Sequence, residues 1–303
     1  MSVLSVEICN VKFKNPVIAA SGAYGFGREY DEAYDISLLG GICCKGTTLE
    51  KKDGNPPPRI AETPSGMINS VGLQNPGVRH FIDIDLPFLM KKDIVVIPNI
   101  AGASEQDYCE MARILDDTPV HMIEMNISCP NVKCGGAAFG TNADTVERIT
   151  KAVRENTKKP LIVKLSPNVT DIGDIAAAAE SGGAYALSLI NTITGMRIDI
   201  HSRRPILKNN TGGLSGPAVF PVAVRMVNQA YNRVKIPIIG IGGIASGEDA
   251  VEMMLAGASA VQVGGAMFRD PYAPLKIIKG IEEFCENNGV RSVGELTGGV
   301  KLW

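Results

Sequence analysis

The sequence predicts an α/β fold, a (β/α)8 TIM barrel formed by a single domain over residues 1–303. Short apolar or β-branched runs alternate with amphipathic helical patterns almost to the C-terminus. Such alternation requires crossover connections, and therefore a parallel sheet. Eight strand-and-helix units in 303 residues match one closed barrel. No linker or internal repeat divides the chain.

The elements follow in order along the chain. The opening VLSVEICNVKFKN alternates in period two around Cys9-Asn10, which predicts an N-terminal β-hairpin that closes one end of the barrel. Two long stretches, 54–76 and 192–217, are predicted to be loops over the C-terminal face, where substrates usually bind. The eight strands are predicted at 17–20, 41–45, 94–99, 122–127, 161–165, 184–190, 236–241 and 260–263. The helices are predicted at about 104–115, 142–156, 171–181, 217–231, 246–256 and 272–286, several of them opened by a capping residue, as at Ser104, Asn142 and Ser246.

Composition excludes several classes of function. The net charge is -2 and the pI is near 6.0, so a nucleic-acid partner is not expected. No apolar stretch reaches the roughly 18 residues that span a bilayer, so no membrane partner is expected either. Seven cysteines without C-x-x-C spacing predict neither disulfides nor a metal site, and they favour a cytoplasmic protein.

The active site of a TIM barrel lies at the C-terminal ends of its strands. Glycine pairs follow the last two predicted strands, at Gly242-Gly243 and Gly264-Gly265. Bare backbone N–H groups at this place predict a phosphate site, although glycines that only ease tight turns are the alternative. The G-x-G-x-x-A match at 240–245 does not predict a dinucleotide, because no carboxylate follows in 258–263.

Lys164 lies within an otherwise apolar strand, and Lys45 ends another. A buried ammonium needs an anionic or electron-rich partner, because desolvation is costly. For Lys164 the candidates are a phosphate, a carbonyl carbon that forms a Schiff base, or a cofactor ring that gains negative charge; a structural ion pair is the alternative. Five asparagines suit a flat ligand edged with carbonyl and N–H groups, at positions 69, 99, 126, 131 and 191.

Cys129 follows the fourth strand, next to Pro130 and ahead of Gly135-Gly136. The proline fixes the backbone and the glycines allow the segment to bend as a lid. A thiol at this place can act as nucleophile or proton acceptor once its pKa is lowered. An inert packed thiol is the alternative.

Nine segments together resemble class 1 dihydroorotate dehydrogenase, over about 3–299 of the chain. They are SGAYGFGRE (21–29), KGTT (45–48), NPPPRIAET (55–63), INSVGLQNPG (68–77), NISCPNVKCGGAAFG (126–140), VKLSPN (163–168), NTITGMRID (191–199), GGLSGPA (212–218) and GIGGI (240–244). The resemblance implies an FMN-dependent barrel that oxidises (S)-dihydroorotate to orotate in UMP biosynthesis.

The resemblance also implies roles for individual residues. Cys129 is the expected base, which takes a proton from C5 while hydride leaves C6 for the flavin, and Lys164 is expected to face the flavin where reduction places negative charge. The implied substrate residues are Lys45, Asn69, Val71, Gly72, Leu73, Asn126, Asn131, Asn191 and Thr192. The implied FMN residues are Ser21, Lys45, Gly46, Asn99, Asn126, Lys164, Ile190, Gly216, Gly242, Gly243, Gly264 and Gly265.

Within class 1, the segments FGRE, NPPPR and NTITGMRID look most like the catalytic subunit of the NAD-linked type, class 1B. That type implies a homodimer core joined to a second subunit with FAD and a [2Fe-2S] cluster, as a heterotetramer that passes electrons to NAD⁺. Cys134 and Cys43-Cys44 look like departures from the family pattern. The alternatives are a class 1A-type enzyme that uses fumarate, a dihydropyrimidine dehydrogenase-like flavoenzyme, and a Schiff-base lyase or aldolase that uses Lys164.

Overall fold

The computed structural model describes residues 2–128 and 139–303. It confirms the predicted TIM barrel. A nine-stranded parallel sheet has the order β7-β4-β3-β17-β16-β11-β10-β9-β8. The strands, in chain order, are β1 (Val6–Ile8), β2 (Val11–Phe13), β3 (Val17–Ala19), β4 (Gly41–Cys43), β5 (Ile60–Thr63), β6 (Gly66–Asn69), β7 (Val95–Ile97), β8 (Asn99–Ile100), β9 (Ile123–Asn126), β10 (Leu161–Lys164), β11 (Ala186–Leu189), β12 (Ile193–Gly195), β13 (Ile198–Asp199), β14 (Arg204–Pro205), β15 (Gly212–Ser215), β16 (Ile238–Ile241) and β17 (Ala260–Val263).

The two edge strands of this sheet belong to one continuous segment, so the sheet closes on itself. β7 pairs with β4, β8 pairs with β9, and only Pro98 separates β7 from β8. Proline has no N–H to donate to a ladder, which interrupts the strand at that residue. The Pro98 carbonyl still accepts a hydrogen bond from the Glu124 N–H at 2.9 Å.

The six predicted helices are present as α4 to α9, and the capping side chains accept hydrogen bonds at Ser104, Asn142 and Ser246 as expected. Short helices that the sequence did not reveal precede them, including a π-helix at Phe81–Asp85. The helices are α1 (Arg28–Asp31), α2 (Val78–His80), α3 (Leu86–Leu89), α4 (Glu105–Asp116), α5 (Ala143–Arg154), α6 (Ile172–Ser181), α7 (Phe220–Tyr231), α8 (Gly247–Leu255) and α9 (Ala273–Asn288). Short 3-10 helices lie at Ile36–Leu38, Pro217–Val219, Gly265–Phe268 and Val293–Leu296.

The predicted N-terminal hairpin is confirmed as the antiparallel pair β1-β2. Its two turn residues, Cys9 and Asn10, have φ angles of 54° and 63°. Positive φ at both positions is typical of the two-residue turns that match the twist of a hairpin. The buried side chains of Ile8 and Phe13 pack with residues of the barrel interior such as Ile162, so the hairpin closes the amino-terminal end of the barrel.

The two stretches predicted as loops over the C-terminal face do connect barrel strands to the helices that follow, and they also contain short strands that the sequence did not reveal. They contribute β5, β6, β12 and β15 to a four-stranded antiparallel sheet in the order β12-β15-β6-β5. Asn69 of one stretch faces Gly213 of the other in this sheet. These strands are short and glycine-rich. The two stretches also pair across a long separation in the sequence, since Asn69 and Gly213 are 144 residues apart. Local patterning therefore did not reveal them.

Candidate active site

A cavity of about 590 Å³ lies at the carboxyl ends of the barrel strands. The four-stranded sheet forms one of its walls, through residues such as Asn69 and Leu214. The cavity brings together almost all the residues that the sequence singled out. The predicted residues that line it are Ser21, Lys45, Gly46, Asn69, Val71, Gly72, Leu73, Asn126, Lys164, Ile190, Asn191, Thr192, Gly216, Gly242, Gly243, Gly264 and Gly265.

One described residue that was predicted for the site is not part of the cavity lining. Asn99 is fully buried, and its amide donates to the Glu124 carboxylate at 2.6 Å. Cys129 and Asn131 lie outside the described residues, as does Cys134. The roles expected for Cys129 and Asn131 therefore stay predictions.

Two of the candidate asparagines are held by Ser128, the last described residue after β9. The Asn191 side-chain N–H donates to Ser128 Oγ at 2.8 Å, and Ser128 Oγ donates to Asn126 Oδ1 at 2.9 Å. The Ser128 backbone N–H also donates to Asn126 Oδ1, at 3.2 Å. These bonds brace the loop, and they also fix which edge of each asparagine faces the cavity.

The two glycine pairs differ in what requires glycine. Gly243 has a φ of 77°, and a Cβ there would come within 2.6 Å of Phe220 Cβ, so packing against the start of α7 requires it. A Cβ on Gly265 would meet nothing nearer than Gly216, at 3.6 Å. Packing within the protein therefore explains why position 243 is glycine. At position 265 a side chain would clash with no protein atom and would only fill part of the cavity.

Lys164 is buried at the floor of the cavity, and only 7% of its side chain is exposed. Its ammonium nitrogen lies 3.6 Å from Oε1 of Glu124, a fully buried residue on the neighbouring strand β9. The structure thus shows the ion pair that the sequence left open as an alternative for Lys164. An ion pair on one side does not preclude a ligand on the cavity side.

Glu124 accepts four hydrogen bonds in addition to this ion pair. Burial alone would raise the pKa of its carboxyl, but the Lys164 ammonium and the hydrogen bonds outweigh burial and lower that pKa below its ordinary value. Glu124 is therefore a carboxylate at neutral pH. The donors are Cys43 Sγ at 3.1 Å and Asn99 Nδ2 at 2.6 Å to Oε1, and Ser188 Oγ at 2.8 Å and Gln262 Nε2 at 2.7 Å to Oε2.

Sequence reasoning missed Glu124, Ser188 and Gln262. The signal that could have found them is the period-two alternation of the barrel strands. Glu124 stands two residues after the buried Met122 and two before Asn126, and Gln262 stands two after Ala260 in the same way. A charged or amide side chain within an apolar strand, on the same face of the sheet as Lys164, indicates a polar layer inside the barrel.

The five described cysteines are not poised to act as thiolates. Burial raises the pKa of each thiol, for Cys9 to about 11, and for Cys43 well above its ordinary value. The others with a raised pKa are Cys44, Cys109 and Cys285. In the described ranges, no group of three or more His, Cys, Asp and Glu residues is placed to hold a metal ion, and no helix there is long and apolar enough to cross a membrane.

Comparison with known proteins places this site in a family. The family model for dihydroorotate dehydrogenase matches residues 3–285. A protein of Alkaliphilus oremlandii, named dihydroorotate dehydrogenase B (NAD(+)), catalytic subunit, is 55% identical over 97% of this chain and 98% of its own length. Proteins with the same name from Thermoanaerobacter pseudethanolicus and Geotalea daltonii are 53% and 54% identical, each over 99% of this chain and 99% and 98% of their own lengths. Because the family model covers most of the chain and relatives more than half identical span nearly all of it, the chain belongs to the dihydroorotate dehydrogenase family.

Proposed function

We propose that the chain oxidises (S)-dihydroorotate to orotate in pyrimidine biosynthesis, as the catalytic subunit of an NAD⁺-linked enzyme. The observation that carries the proposal is a cavity that gathers cationic, amide and glycine groups at one end of the barrel. The names of the relatives support the same reaction and the same subunit.

The cavity fits FMN. Gly265 leaves space that a side chain would fill, and within the described ranges the buried Oε1 of Gln262 has no hydrogen-bond partner although the residue lines the cavity. FMN, when bound, supplies the acceptor for the hydride that leaves C6 of the substrate. The cavity-lining residues proposed to hold it are Ser21, Lys45, Gly46, Asn126, Lys164, Ile190, Gly216, Gly242, Gly243, Gly264 and Gly265. Asn99, which is buried behind them, keeps its proposed place in this set through the Glu124 carboxylate that it shares with Lys164.

The described residues proposed to bind the substrate line the cavity on β6, on the loop that follows it and at strand ends of the barrel. Lys45 provides a cation for the dihydroorotate carboxylate, and Asn69 with the loop Val71 to Leu73 provides amide and backbone groups beside it. Asn126 and Asn191 present paired donors and acceptors to the amide edge of the ring, in orientations that Ser128 holds. Asn131 and Thr192 complete the proposed set.

Proton and charge transfer need two further groups. Lys164 offers a positive charge in a water-poor site to negative charge that develops as hydride is transferred. Cys129 is the proposed base that takes the proton from C5 of the substrate. Burial raises the pKa of each of the five described thiols, which makes them poor bases at neutral pH. This supports the choice of Cys129, which is not one of the five.

Electrons are proposed to leave through a partner subunit with FAD and a [2Fe-2S] cluster, with the catalytic chain as a homodimer in a cytoplasmic heterotetramer. No cluster-binding motif of C-x-x-C type occurs in this chain, so the cluster is assigned to the partner. Coexpression with such a subunit should give dihydroorotate-dependent reduction of NAD⁺ but not of fumarate. The reverse preference would assign the chain to the fumarate-using type.

The decisive experiment is anaerobic titration of the purified protein. We expect a yellow protein that absorbs at about 450 nm, as flavins do. Addition of dihydroorotate should bleach this absorption. Orotate should bind in preference to uracil, because uracil lacks the carboxylate that Lys45 is proposed to hold. A colourless protein, or bleaching by dihydrouracil in place of dihydroorotate, would overturn the proposed function.

A further inference from the structure

The carboxylate of Glu124 is the centre of a polar layer inside the barrel. Its five partners come from five other strands of the barrel: Cys43 of β4, Asn99 of β8, Lys164 of β10, Ser188 of β11 and Gln262 of β17. Glu124 itself is fully buried and does not line the cavity. Two of its partners, Lys164 and Gln262, do line the cavity.

The charge on Glu124 decides how the Gln262 amide is oriented. A carboxylate only accepts hydrogen bonds, so Gln262 must direct its NH₂ group toward Glu124 Oε2, at 2.7 Å. Its carbonyl oxygen then points the other way. Gln262 is 1% exposed, and within the described part of the chain this oxygen has no hydrogen-bond partner. A buried acceptor is unfavourable unless something satisfies it, and the cavity is the place from which a ligand can do so.

The same carboxylate sets the position of Lys164. At 3.6 Å, the Lys164 nitrogen is attracted by Glu124 Oε1 but lies beyond normal hydrogen-bond range. Among the described residues Lys164 has this ion pair and no hydrogen bond. The three N–H donors of the ammonium therefore stay available to a ligand, while the ion pair holds the side chain at the cavity floor.

We propose that Glu124 is a positioning residue, which holds the Lys164 ammonium and the Gln262 carbonyl toward the cofactor. Gln262 is in turn a cofactor-binding residue, which accepts a hydrogen bond from an N–H or hydroxyl group of FMN. This inference rests on the proposed function, since it takes FMN as the ligand of the cavity.

The first test is the isosteric variant Glu124→Gln. Whichever oxygen of Glu124 the new NH₂ group replaces, it faces a donor amide, so either Asn99 or Gln262 must turn over, and in both cases the charge that holds the Lys164 ammonium is lost. We expect the dissociation constant of FMN to rise by at least about tenfold, the scale seen when a partner of a ligand-binding group is lost. The measurement is flavin fluorescence quenching by the apoprotein, with circular dichroism to show that it is folded.

Asp85→Asn is the matched control. Asp85 is also a buried carboxylate, 4% exposed and paired with an arginine, Arg28, but it does not line the cavity or contact Glu124. This variant removes the charge of a buried carboxylate that pairs with a half-exposed arginine, and it should leave FMN affinity within about twofold of the wild type. Equal losses of FMN affinity in both variants would mean that Glu124 has only a structural role, and would overturn the proposal.

A double-mutant cycle shows whether Glu124 acts through its partners. Glu124→Gln should weaken FMN binding more in the wild-type background than in Gln262→Met, because one of the two groups that Glu124 positions is already gone in that variant. Independent, multiplicative losses would overturn the proposal. If Glu124→Gln does not fold, Gln262→Met alone decides: weaker FMN binding supports the proposal and unchanged binding overturns it.

The test of Glu124 and the test of the proposed function can fail independently. Wild-type protein that binds FMN and is bleached by dihydroorotate upholds the proposed function whatever the variants do. Wild-type protein that binds no FMN overturns both.

Discussion

The buried pair of Lys164 and Glu124 makes a strong prediction for Lys164→Met in the apoprotein. Methionine is similar in length but has no charge, so the fully buried Glu124 carboxylate loses its countercharge. Removing one partner of a buried ion pair costs about 3–5 kcal/mol. A chain of 303 residues has an unfolding entropy of about 0.6 kcal/mol per kelvin, so we expect the Tm at neutral pH to fall by about 5–8 °C.

The Tm difference between Lys164→Met and the wild type should depend on pH, and the direction of that dependence follows from the pKa of Glu124. In the wild type the pKa of Glu124 is lowered, so its contribution to stability is present at neutral pH and is lost as the pH falls through that lowered value. In Lys164→Met, burial is no longer offset by an ammonium, and the pKa of the same carboxyl moves upward. Protonation then relieves the buried charge, so the Tm difference from the wild type should be largest near pH 8 and should shrink toward about pH 5.

Calorimetry of the FMN-free proteins between about pH 5 and 8, at constant ionic strength, measures this difference. The double variant Glu124→Gln/Lys164→Met removes both charges and should be more stable than Lys164→Met alone, because a buried pair replaced as a whole leaves no isolated charge. A Tm deficit that stays constant or grows as the pH falls would refute the electrostatic reasoning.

Three further predictions concern the base, the glycine pairs and the hairpin. Cys129→Ala should keep FMN but slow anaerobic flavin reduction by dihydroorotate about 10²- to 10⁴-fold, the scale of losing a positioned base; unchanged stopped-flow rates would remove Cys129 from the mechanism. Gly265→Ala should weaken FMN binding without lowering the Tm of the apoprotein, whereas Gly243→Ala should lower that Tm, because its φ is 77° and Phe220 is 2.6 Å from the added Cβ. Phe13→Ala should cost about 3–5 kcal/mol in urea unfolding and leave FMN affinity unchanged, because Phe13 packs at the opposite end of the barrel; a large loss of affinity would contradict this separation.

The barrel could be predicted because its strands are buried on both faces. Each of the eight appears as a short apolar run, and a charge within such a run, as at Lys164, stands out. Capping residues located the long helices for a similar local reason. The sheet of β5, β6, β12 and β15 could not be predicted in this way, because it is only half buried and its pairing joins segments far apart in the chain.

The candidate site shows the same division. Residues just past the strand ends were found from topology, since parallel strands all end at one face. Glu124 was missed although it lies in the run HMIEMN, because its proximity to Lys164 depends on how the two strands pair. Glu124 pairs with Ile162 of the neighbouring strand, two residues before Lys164. Asn99 was expected at the cavity, but its strand restarts after Pro98 and its amide is taken by Glu124.

The β1-β2 hairpin makes the two ends of the barrel unequal. Ile8 and Phe13 block one end with packed side chains, and the cavity opens at the other. Within the described part of the chain, this leaves the carboxyl ends of the strands as the side from which molecules enter and leave the cavity. A group seated on the floor beside Lys164 is trapped for as long as a second molecule stays above it.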